Sequence, residues 1–408
     1  MPEILFICEH SPFKFQSGVH QRTNLLCTAF SKIAHVDVLT LEQDKESNIE
    51  NCAKIDIKEC INRNKQKKIL LHFCLLVIPP ILIEIIKIFK KFTTGIIGNK
   101  KYWLAKIVRK QQKIKKYDLI FVRGINNLLV FGIKPSKIVI IDIDDLPEQT
   151  YQSKLFFKIE NNSIKSIFYK LYYSMCAKIC RYYTKKIVKN VSIVYLPNES
   201  QCSLFENAVY LPNIPYKFAA KNDIMEHSEY QIMFVGVIEY KPNYMGIEYF
   251  LENIYPSIID RIPQVNFNII GRISEERKEE WLLRYKNISL LGVIDDLKKE
   301  YEKNSVIVVP IYNGAGTNIK VLEAMSMEKA CVTSTFAGKG FEKILENGKN
   351  IIMADSAENF AEKIIELLKD KDYRDSIAKS AKEAVDKQYS FECFSEIIIN
   401  SMQNSKKP

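Results

Sequence analysis

Four short apolar runs in the second half of the chain each end on a glycine or a proline, and this pattern strongly constrains the fold. The runs are QIMFVG, VNFNIIG, ISLLG and SVIVVP, which close at Gly236, Gly271, Gly292 and Pro310. Helix-length segments lie between most of them. Alternating short apolar runs and helices predict a parallel sheet with helices on both faces. Such a sheet binds its ligand at the carboxyl ends of its strands, where these four residues stand.

The first half of the chain repeats the alternation. EILFIC, a helix-length stretch from Val19 to Ile33, and HVDVLTL form a strand–helix–strand unit, and DLIFVR, KIVIIDID, SIVYLP and AVYLPN supply four more strands. A chain of 408 residues also exceeds what one hydrophobic core usually supports. The sequence therefore predicts an α/β protein with two doubly wound, Rossmann-like domains. Their predicted bounds are 1–216 and 217–390, with a C-terminal helix and tail, 391–408, that packs back on the first domain.

The peptide VVPIYNGAGTNIKVLEAMSMEKACVTS joins a strand, a glycine loop, a helix and another strand. Gly314 and Gly316 permit a turn that larger residues would obstruct, and Thr317 is predicted to cap the helix. A glycine loop before a helix presents N–H groups and the positive end of the helix dipole, which together favour phosphate. Thr317, Lys320 and Glu323 share one face of the predicted helix by their spacing of three.

These residue types suit the transfer of a sugar from a nucleotide-sugar. The leaving phosphate gains negative charge as the glycosidic bond breaks, and Lys320 with the helix dipole would stabilise that charge without a metal ion. Glu323, deeper in the helix, is suited to accept hydrogen bonds from the two ribose hydroxyls. The alternative interpretation is that Lys320 and Glu323 are only part of a solvated helix face.

The same peptide resembles the signature of the retaining group 1 (family 4-like) glycosyltransferases of GT-B fold, particularly those that read GGGTxxKxLEAM. FVGVIEYKPNYMGIEYFLENIYPSI resembles their FxGxxxxxPNxxxxxxF segment. With NIIG, LLGVIDD and YRDSIAKSAKEAV, the similarity covers nearly all of residues 231–390. The first half resembles the family only in outline, through ILFIC, SGVHQR and IDIDDL. The resemblance implies two Rossmann-like domains that face each other across a cleft, a hexosyltransferase-like activity and retention of configuration.

The resemblance also implies roles for individual residues. Glu323 would hold the ribose, Gly316 to Lys320 the diphosphate, and Val293 with Ile294 the base through backbone groups. Gly18, His20 and Arg22 would meet the transferred sugar or the acceptor, so that Lys320, His20 and Arg22 are the expected catalytic residues. The whole expected donor-binding set is Gly236, Lys241, Gly271, Val293, Ile294, Gly314, Ala315, Gly316, Thr317, Asn318, Lys320 and Glu323.

Three positions depart from the family pattern. Many members carry an acid eight residues before the Glu323 position, where this chain has Ala315. The arginine that often follows the glycine of the first strand in the C-terminal domain is Val237, and Lys241 is out of register with the usual lysine. The sequence therefore supports nucleotide binding more strongly than a particular donor sugar. A catalytically inert GT-B-like protein that binds a glycan or a partner enzyme stays open as the alternative.

Asp142, Asp144 and Asp145 in IDIDDL form a pattern that can share a divalent cation. These residues follow a strand of the first predicted domain, whereas the glycine loop lies in the second. We therefore expect them to contact the acceptor or to cap local structure. No metal site and no cofactor are predicted.

Two stretches rich in Lys and Arg point to an anionic surface. The net charge is +11, and Glu84 is the only acid between Arg63 and Lys116. That stretch contains an apolar segment, 69–89, which is open to three interpretations: a buried helical hairpin, a membrane-surface helix or a true span. The second stretch, KSIFYKLYYSMCAKICRYYTKKIVK, interleaves Tyr with Lys. It suits a lipid headgroup layer, stacking on nucleic-acid bases, or a face packed on the sheet.

No RNA-binding motif accompanies these stretches, so the membrane is favoured and no nucleic-acid partner is predicted. The ten cysteines show no CxxC pair and no zinc-finger spacing, which is typical of free thiols in a reducing compartment. The N-terminus lacks the features of a signal peptide. The sequence thus predicts a cytoplasmic enzyme, peripheral on the inner face of the membrane, with a nucleotide-sugar donor and a lipid-linked saccharide or polysaccharide acceptor.

Overall fold

The computed structural model describes residues 1–13, 18–42, 49–55, 99–157, 164–215, 229–294, 296–314 and 317–405. The chain divides into two compact units, Met1–Pro212 with Phe394–Pro408, and Asn213–Cys393. The apolar segment 69–89 and most of the stretch between the two strand sets, 216–228, lie outside the described residues. Within the described ranges, no helix has both the length and the hydropathy needed to cross a membrane.

Among its described residues, the first unit contains seven parallel strands. They are β1 Glu3–Cys8, β2 His35–Thr40, β3 Cys52–Lys54, β4 Leu119–Arg123, β5 Val139–Asp142, β6 Ile193–Leu196 and β7 Ala208–Tyr210. The sheet order is β3-β2-β1-β4-β5-β6-β7, and every neighbouring pair is parallel. All four residues of β5 and of β6 are buried, which explains their continuous apolar runs, because helices cover both faces of such a sheet.

Helices connect these strands. They are α1 Gly18–Ser31, α2 Asn99–Ile114, α3 Ile125–Val130, α4 Pro147–Phe157, α5 Ile164–Val188 and α6 Glu199–Cys202. One buried side of α5 carries Tyr172, Cys176 and Cys180, spaced four residues apart, so that side faces the protein interior.

The second unit is a six-stranded sheet with helices between its strands. In chain order its elements are β8 Gln231–Val235, α7 Lys241–Tyr249, α8 Tyr255–Arg261, β9 Asn266–Ile270, α9 Glu275–Arg284, β10 Ile288–Gly292, α10 Leu297–Lys303, β11 Val306–Val309, α11 Ile319–Ser326, β12 Ala330–Thr333, β13 Ile352–Met353, α12 Ala357–Lys369 and α13 Lys371–Gln388. The strand order is β10-β9-β8-β11-β12-β13, again with parallel pairs. The order reverses at β8 and β11, which is where a doubly wound sheet opens a crevice.

The last helix, α14 Phe391–Asn404, belongs to the first unit from Phe394 onward. The hydroxyl oxygens of Ser401 on α14 and Tyr195 on β6 are 2.8 Å apart and form a hydrogen bond. The chain therefore returns to the first unit after completing the second.

Two local features differ from the sequence prediction. Strand β3 was not predicted, because it has only three residues and lies at the edge of the sheet, where no long apolar run is required. The helix-length segment predicted between QIMFVG and VNFNIIG is interrupted by a π turn at Phe250–Ile254. Pro256 follows that turn and lacks the N–H group that a regular helix would use at this position, so the backbone widens before it.

Candidate functional site

Three glycines lie together where β8, β9 and β10 end. The N–H of Gly236 donates to the carbonyl of Ile270 at 2.9 Å, and the N–H of Gly271 donates to the carbonyl of Gly292 at 2.8 Å. A Cβ on Gly271 would lie 1.7 Å from the carbonyl oxygen of Gly236, and Gly271 has a φ of 141°. No other residue fits at Gly271. At the carboxyl ends of these strands, Gly236, Gly271 and Gly292 expose backbone without side chains, so a ligand can approach closely. We call this surface the glycine edge.

Lys320 on α11 reaches this glycine edge. A Cβ on Gly236 would lie 3.4 Å from Cε of Lys320 and 3.0 Å from Nδ2 of Asn243. Nζ of Lys320 lies 3.4 Å from Oδ1 of Asn243 and 3.5 Å from Oδ1 of Asn318, both long for hydrogen bonds. Nδ2 of Asn243 donates to the carbonyl of Val237 at 2.8 Å, which fixes the amide. The ammonium is thus held at the sheet edge with capacity left to bind an anion.

The other charged group of α11 is Glu323, one turn after Lys320 and buried with 7% exposure. Burial raises the pKa of Glu323, and the Lys320 charge opposes that rise. Burial likewise lowers the pKa of Lys320 to about 8, against the opposing effect of Glu323. Within the described part of the chain, the Glu323 carboxylate has no hydrogen-bond partner. Its oxygens can therefore accept hydrogen bonds from two ligand hydroxyls.

The start of α11 differs from the prediction. Thr317 was expected to cap this helix, but the helix begins at Ile319, Asn318 is its N-cap residue, and no side chain caps it. The prediction was wrong because the Thr317 hydroxyl accepts a hydrogen bond from Nδ2 of Asn213 at 2.9 Å instead. Glu323 also differs from the solvated face that was the alternative, since it is buried.

The remaining residues of the expected donor set lie around this edge or outside the described residues. Gly314 has a φ of 140°, and a Cβ on it would lie 3.3 Å from Cγ of Pro242. Val293, which directly follows β10, is 77% exposed. Ile294 is half-buried after it, and Lys241 is exposed at the first position of α7. Ala315 and Gly316 lie outside the described residues.

Sequence reasoning did not single out Asn243, although the structure places it beside Lys320 and Gly236. The signal was the Pro-Asn pair in FVGVIEYKPN, which puts Asn243 in the first turn of α7 directly below the glycine edge. Its role depends on a contact between two distant segments, which periodicity does not reveal.

In the first unit, Arg22 and Asp142 form a buried ion pair. Nη2 of Arg22 lies 2.6 Å from Oδ1 of Asp142, and the Arg22 side chain also donates to the carbonyls of Leu211 and Pro212 at 3.1 and 3.0 Å. Nη1 of Arg123 lies 2.5 Å from the other oxygen of Asp142. Asp142 has no exposed surface and Arg22 is 3% exposed. This burial corrects the expectation that both residues touch the acceptor, because their polar atoms already hold α1, β4, β5 and the end of β7 together.

Asp144 and Asp145 follow that ion pair. Oδ2 of Asp144 accepts from Nη2 of Arg123 at 2.8 Å, so Asp144 extends the network toward the surface. Asp145 is exposed. The carboxylates of Asp142 and Asp144 therefore meet Arg123 in this structure, which agrees with the structural role that the sequence left open.

His20, the third expected catalytic residue, lies in a small polar cluster. Its Nε2 is 3.2 Å from Oε2 of Glu42, and Nδ1 of His10 is 3.1 Å from Oε1 of the same carboxylate. Partial burial would raise the pKa of Glu42, but hydrogen bonds from the Ser11 N–H, His10 and His20 lower it to about 2. Glu42 is another site residue that sequence reasoning missed; the signal is an acid just after β2.

The cluster has the composition of a metal site, since one ligand atom each of His10, His20 and Glu42 all lie within 4.8 Å of one another. The two histidine–glutamate hydrogen bonds account for these distances equally well. His20 is 7% exposed and lies in the first turn of α1, directly after Gly18 and Val19. The cluster can hold a histidine in a fixed orientation beside the start of that helix.

Comparison with known proteins identifies relatives of both the second unit and the whole chain. Residues 229–370 match the family model for glycosyl transferases group 1. An uncharacterized 44.6 kDa protein in the cps region of Klebsiella pneumoniae is 26% identical over 285 residues, which are 67% of this chain and 71% of that protein. The residues that match the family model include α11 and the glycine edge.

Comparison with solved structures shows a similar fold over nearly the whole chain. Sucrose-phosphate synthase from Thermosynechococcus elongatus superposes with a TM-score of 0.69 at 16% identity, over 99% of each chain. HepE from Anabaena, in complex with UDP and glucose, superposes with a TM-score of 0.62 at 13% identity, over 99% of this chain and 100% of that one. At such low identity these structures establish the two-unit fold and nothing finer.

Proposed function

We propose that this chain is a glycosyltransferase whose donor is a nucleotide-sugar bound at α11, because residues 229–370 match the family model for glycosyl transferases group 1 and the chain has the GT-B fold. The observation that supports this most is the pairing of Lys320 and Glu323 beside the bare backbone at Gly236 and Gly271. This edge admits a diphosphate, Lys320 offers it a cation, and Glu323 is placed to accept from two ribose hydroxyls.

The residues suggest how transfer would proceed. The bond between the anomeric carbon and the donor phosphate breaks while the acceptor hydroxyl oxygen bonds to that carbon. The acceptor proton passes to the departing phosphate, and configuration is retained. Lys320 stabilises the charge on the leaving diphosphate without a metal ion. His20, oriented by Glu42, is proposed to contact the sugar or the acceptor, whereas Arg22 and Asp142 keep α1 and the strands in position.

A uridine diphosphate sugar is the first donor to test, because the HepE structure holds UDP and glucose. Ala315 stands where many family members have an acid that grips the sugar, so the nucleotide supplies most of the binding energy in this proposal. We propose that the acceptor is a lipid-linked saccharide or polysaccharide of a surface glycan. The cps-region relative from Klebsiella pneumoniae supports that direction.

The exposed side of helix α5 supports the proposal that the protein acts at a membrane surface. Its outer side exposes Ile167, Leu171 and Met175, with 54%, 65% and 40% of each residue accessible. The four-residue spacing puts them on one stripe of the helix, and Lys178 and Lys185 continue it as exposed cations, with exposed Lys189 directly after the helix. An apolar stripe followed by cations suits an anionic lipid surface on the cytoplasmic side.

Titration of the protein with UDP by isothermal calorimetry tests the donor site directly. Glu323→Gln keeps the side-chain volume but exchanges one acceptor oxygen for a donor amide, so we expect the Kd for UDP to rise about tenfold. Glu328→Gln is the matched control, because Glu328 is exposed just beyond α11 and should leave the Kd unchanged. If the wild type and the Glu323 variant bind UDP with the same Kd, Glu323 does not bind the ribose.

A further inference from the structure

Two thiols from different elements of the first unit lie in direct contact. Sγ of Cys27 on α1 is 3.4 Å from Sγ of Cys52 on β3. A disulfide has an S–S distance of about 2.05 Å, so the sulfurs need to approach by only about 1.4 Å to be bonded. Neither residue belongs to the donor site or to the His20 cluster.

The local backbone holds this pair in place. Asn51, directly before Cys52, has a φ of 56°, a left-handed conformation that Asn tolerates better than most residues. Its side chain donates to the carbonyl of Ser31, the last residue of α1, at 3.3 Å. The N–H of Val36 donates to the carbonyl of Asn51 at 2.9 Å. Asn51 therefore ties the start of β3 to the end of α1 and to β2, directly beside Cys52.

The two thiols differ in exposure and in chemistry. Cys27 has no exposed surface, whereas Cys52 is half-buried and lines an open pocket of about 480 Å³ with Glu3, Asp37 and Lys115. Hydrogen bonds from Cys27 and Ser31 lower the pKa of the Cys52 thiol, against the effects of burial and Asp37. The same hydrogen bond, together with burial, raises the pKa of Cys27. Cys52 is thus the thiol that ionises first and that solutes reach.

We propose that Cys27 and Cys52 are a reversible thiol–disulfide modification site, in which a peroxide entering the pocket oxidises Cys52 and Cys27 resolves the product. The Cys52 thiolate attacks one oxygen of hydrogen peroxide, whose O–O bond breaks, to give a sulfenic acid and hydroxide, which takes up a proton to become water. The Cys27 sulfur then attacks the Cys52 sulfur, the S–O bond breaks, and the Cys27 proton leaves with that oxygen as a second water. Both sulfurs are oxidised by one electron each, and one peroxide is reduced.

This modification is independent of the proposed sugar transfer. It would close the chain between residues 27 and 52, and so link the helix that carries His20 and Arg22 to the edge strand of its sheet. Because a disulfide restricts the unfolded chain, the oxidised protein should also melt at a higher temperature than the reduced one.

Peptide mapping of the full chain tests the proposal. The reduced protein is treated with one equivalent of hydrogen peroxide, the remaining thiols are alkylated, and the protein is digested with trypsin. Cleavage after Lys and Arg puts Cys27 in peptide 23–32 and Cys52 in peptide 46–54, each with a single cysteine. We expect these two peptides joined, with a mass two hydrogen atoms below their sum, and separated again by dithiothreitol.

Three further samples make the result decisive. Cys52→Ser should abolish the crosslink and the rise in melting temperature, whereas Cys202→Ser should change neither, because burial and Glu199 raise the pKa of Cys202 to about 11. The wild-type crosslink should also survive denaturing digestion without a reductant. Recovery of peptides 23–32 and 46–54 fully alkylated after peroxide would overturn the proposal. A crosslink from 23–32 to the peptide 1–14, which contains Cys8, would overturn it as well.

Discussion

At the scale of single residues, Lys320 decides whether the proposed donor site carries a positive charge. Its ammonium lies beside Asn243 and the glycine edge, and burial lowers its pKa to about 8. Lys320 is therefore a cation below that pH and loses its charge as the pH rises through it. The site as described is suited to bind a diphosphate at neutral pH and to weaken in alkaline solution.

The pH dependence of kcat/KM for the donor follows from this charge. Since kcat/KM reports groups of the free enzyme, we expect it to fall as the pH rises through about 8. Lys320→Arg should retain some activity and move the fall beyond the measured range, because a guanidinium stays charged. Lys329→Arg is the matched control, because burial lowers the pKa of Lys329 to about 8 as well. Lys329 lies after α11, with its Nζ 3.0 Å from the carbonyl oxygen of Glu302, so this variant should keep the fall in kcat/KM. If the fall in kcat/KM near pH 8 disappears in the Lys329 variant and persists in the Lys320 variant, the titrating group is Lys329, and the role of Lys320 is contradicted.

The sequence predicted residues of the proposed donor site only where they lie close together along the chain. Lys320 and Glu323 could be placed on one helix because their spacing is local. The contact of Lys320 with Asn243 and the hydrogen bond from Asn213 to Thr317 join positions at least 77 residues apart. Helical periodicity has no information about such contacts, so the cap predicted at Thr317 was wrong.

At the scale of elements, the close packing of β8 and β9 at their carboxyl ends makes Gly271 a sensitive position. A Cβ there would lie 1.7 Å from the carbonyl oxygen of Gly236. We expect Gly271→Ala to lower the free energy of unfolding of this unit by about 2–4 kcal/mol. Gly348→Ala is the control, because Gly348 also has a positive φ, of 81°, but has open space around it, so only about 1 kcal/mol of backbone strain is expected.

Chemical denaturation of the two glycine variants measures this difference. Both substitutions carry the strain of a positive φ, so the excess loss in the Gly271 variant reports the steric clash at the strand ends. Equal losses in the two variants would show that β8 and β9 can separate without cost, and the flat glycine edge would then be a poor description of the site.

The exposed stripe of α5 makes a second prediction at this scale. Ile167→Ser, Leu171→Ser and Met175→Ser together remove apolar surface that is solvent-exposed in the structure, so the fold should not change. We expect sedimentation with vesicles that contain phosphatidylglycerol to weaken roughly tenfold or more. Leu282→Ser with Leu283→Ser is the control, because these α9 side chains are 48% and 89% exposed in the other unit. Vesicle binding that is lost in the control and kept in the α5 variant would contradict a membrane role for α5.

Most elements were predictable because the parallel sheets are buried on both faces, which requires continuous apolar runs such as those of β5, β6 and β11. Strand β3 gave no such run, since it is a three-residue edge strand. The π turn at Phe250–Ile254 was also not predictable, because the apolar positions of a helix continue through it with little change.

At the scale of the whole molecule, the chain combines two Rossmann-like units with a last helix that returns to the first. This arrangement is the GT-B fold of the structures it resembles. The family match lies in the second unit, which also contains Lys320 and Glu323. The first unit contributes the ion pair of Arg22 with Asp142 and the cluster around His20. We thus propose that one unit binds the nucleotide and that the other meets the acceptor.

We propose that this protein transfers a sugar from a nucleotide-sugar and that Lys320 stabilises the leaving diphosphate. The most direct measurement uses radiolabelled uridine diphosphate sugars, a membrane fraction containing lipid-linked saccharides, and excess chelator. We predict label in the lipid or polysaccharide product that depends on the acceptor, is unchanged by the chelator, and falls about 10²–10³-fold in kcat for Lys320→Ala. Lys349→Ala is the control and should retain full activity, because Lys349 is exposed. Binding of UDP without acceptor-dependent transfer, or an unchanged rate in the Lys320 variant, would contradict the account.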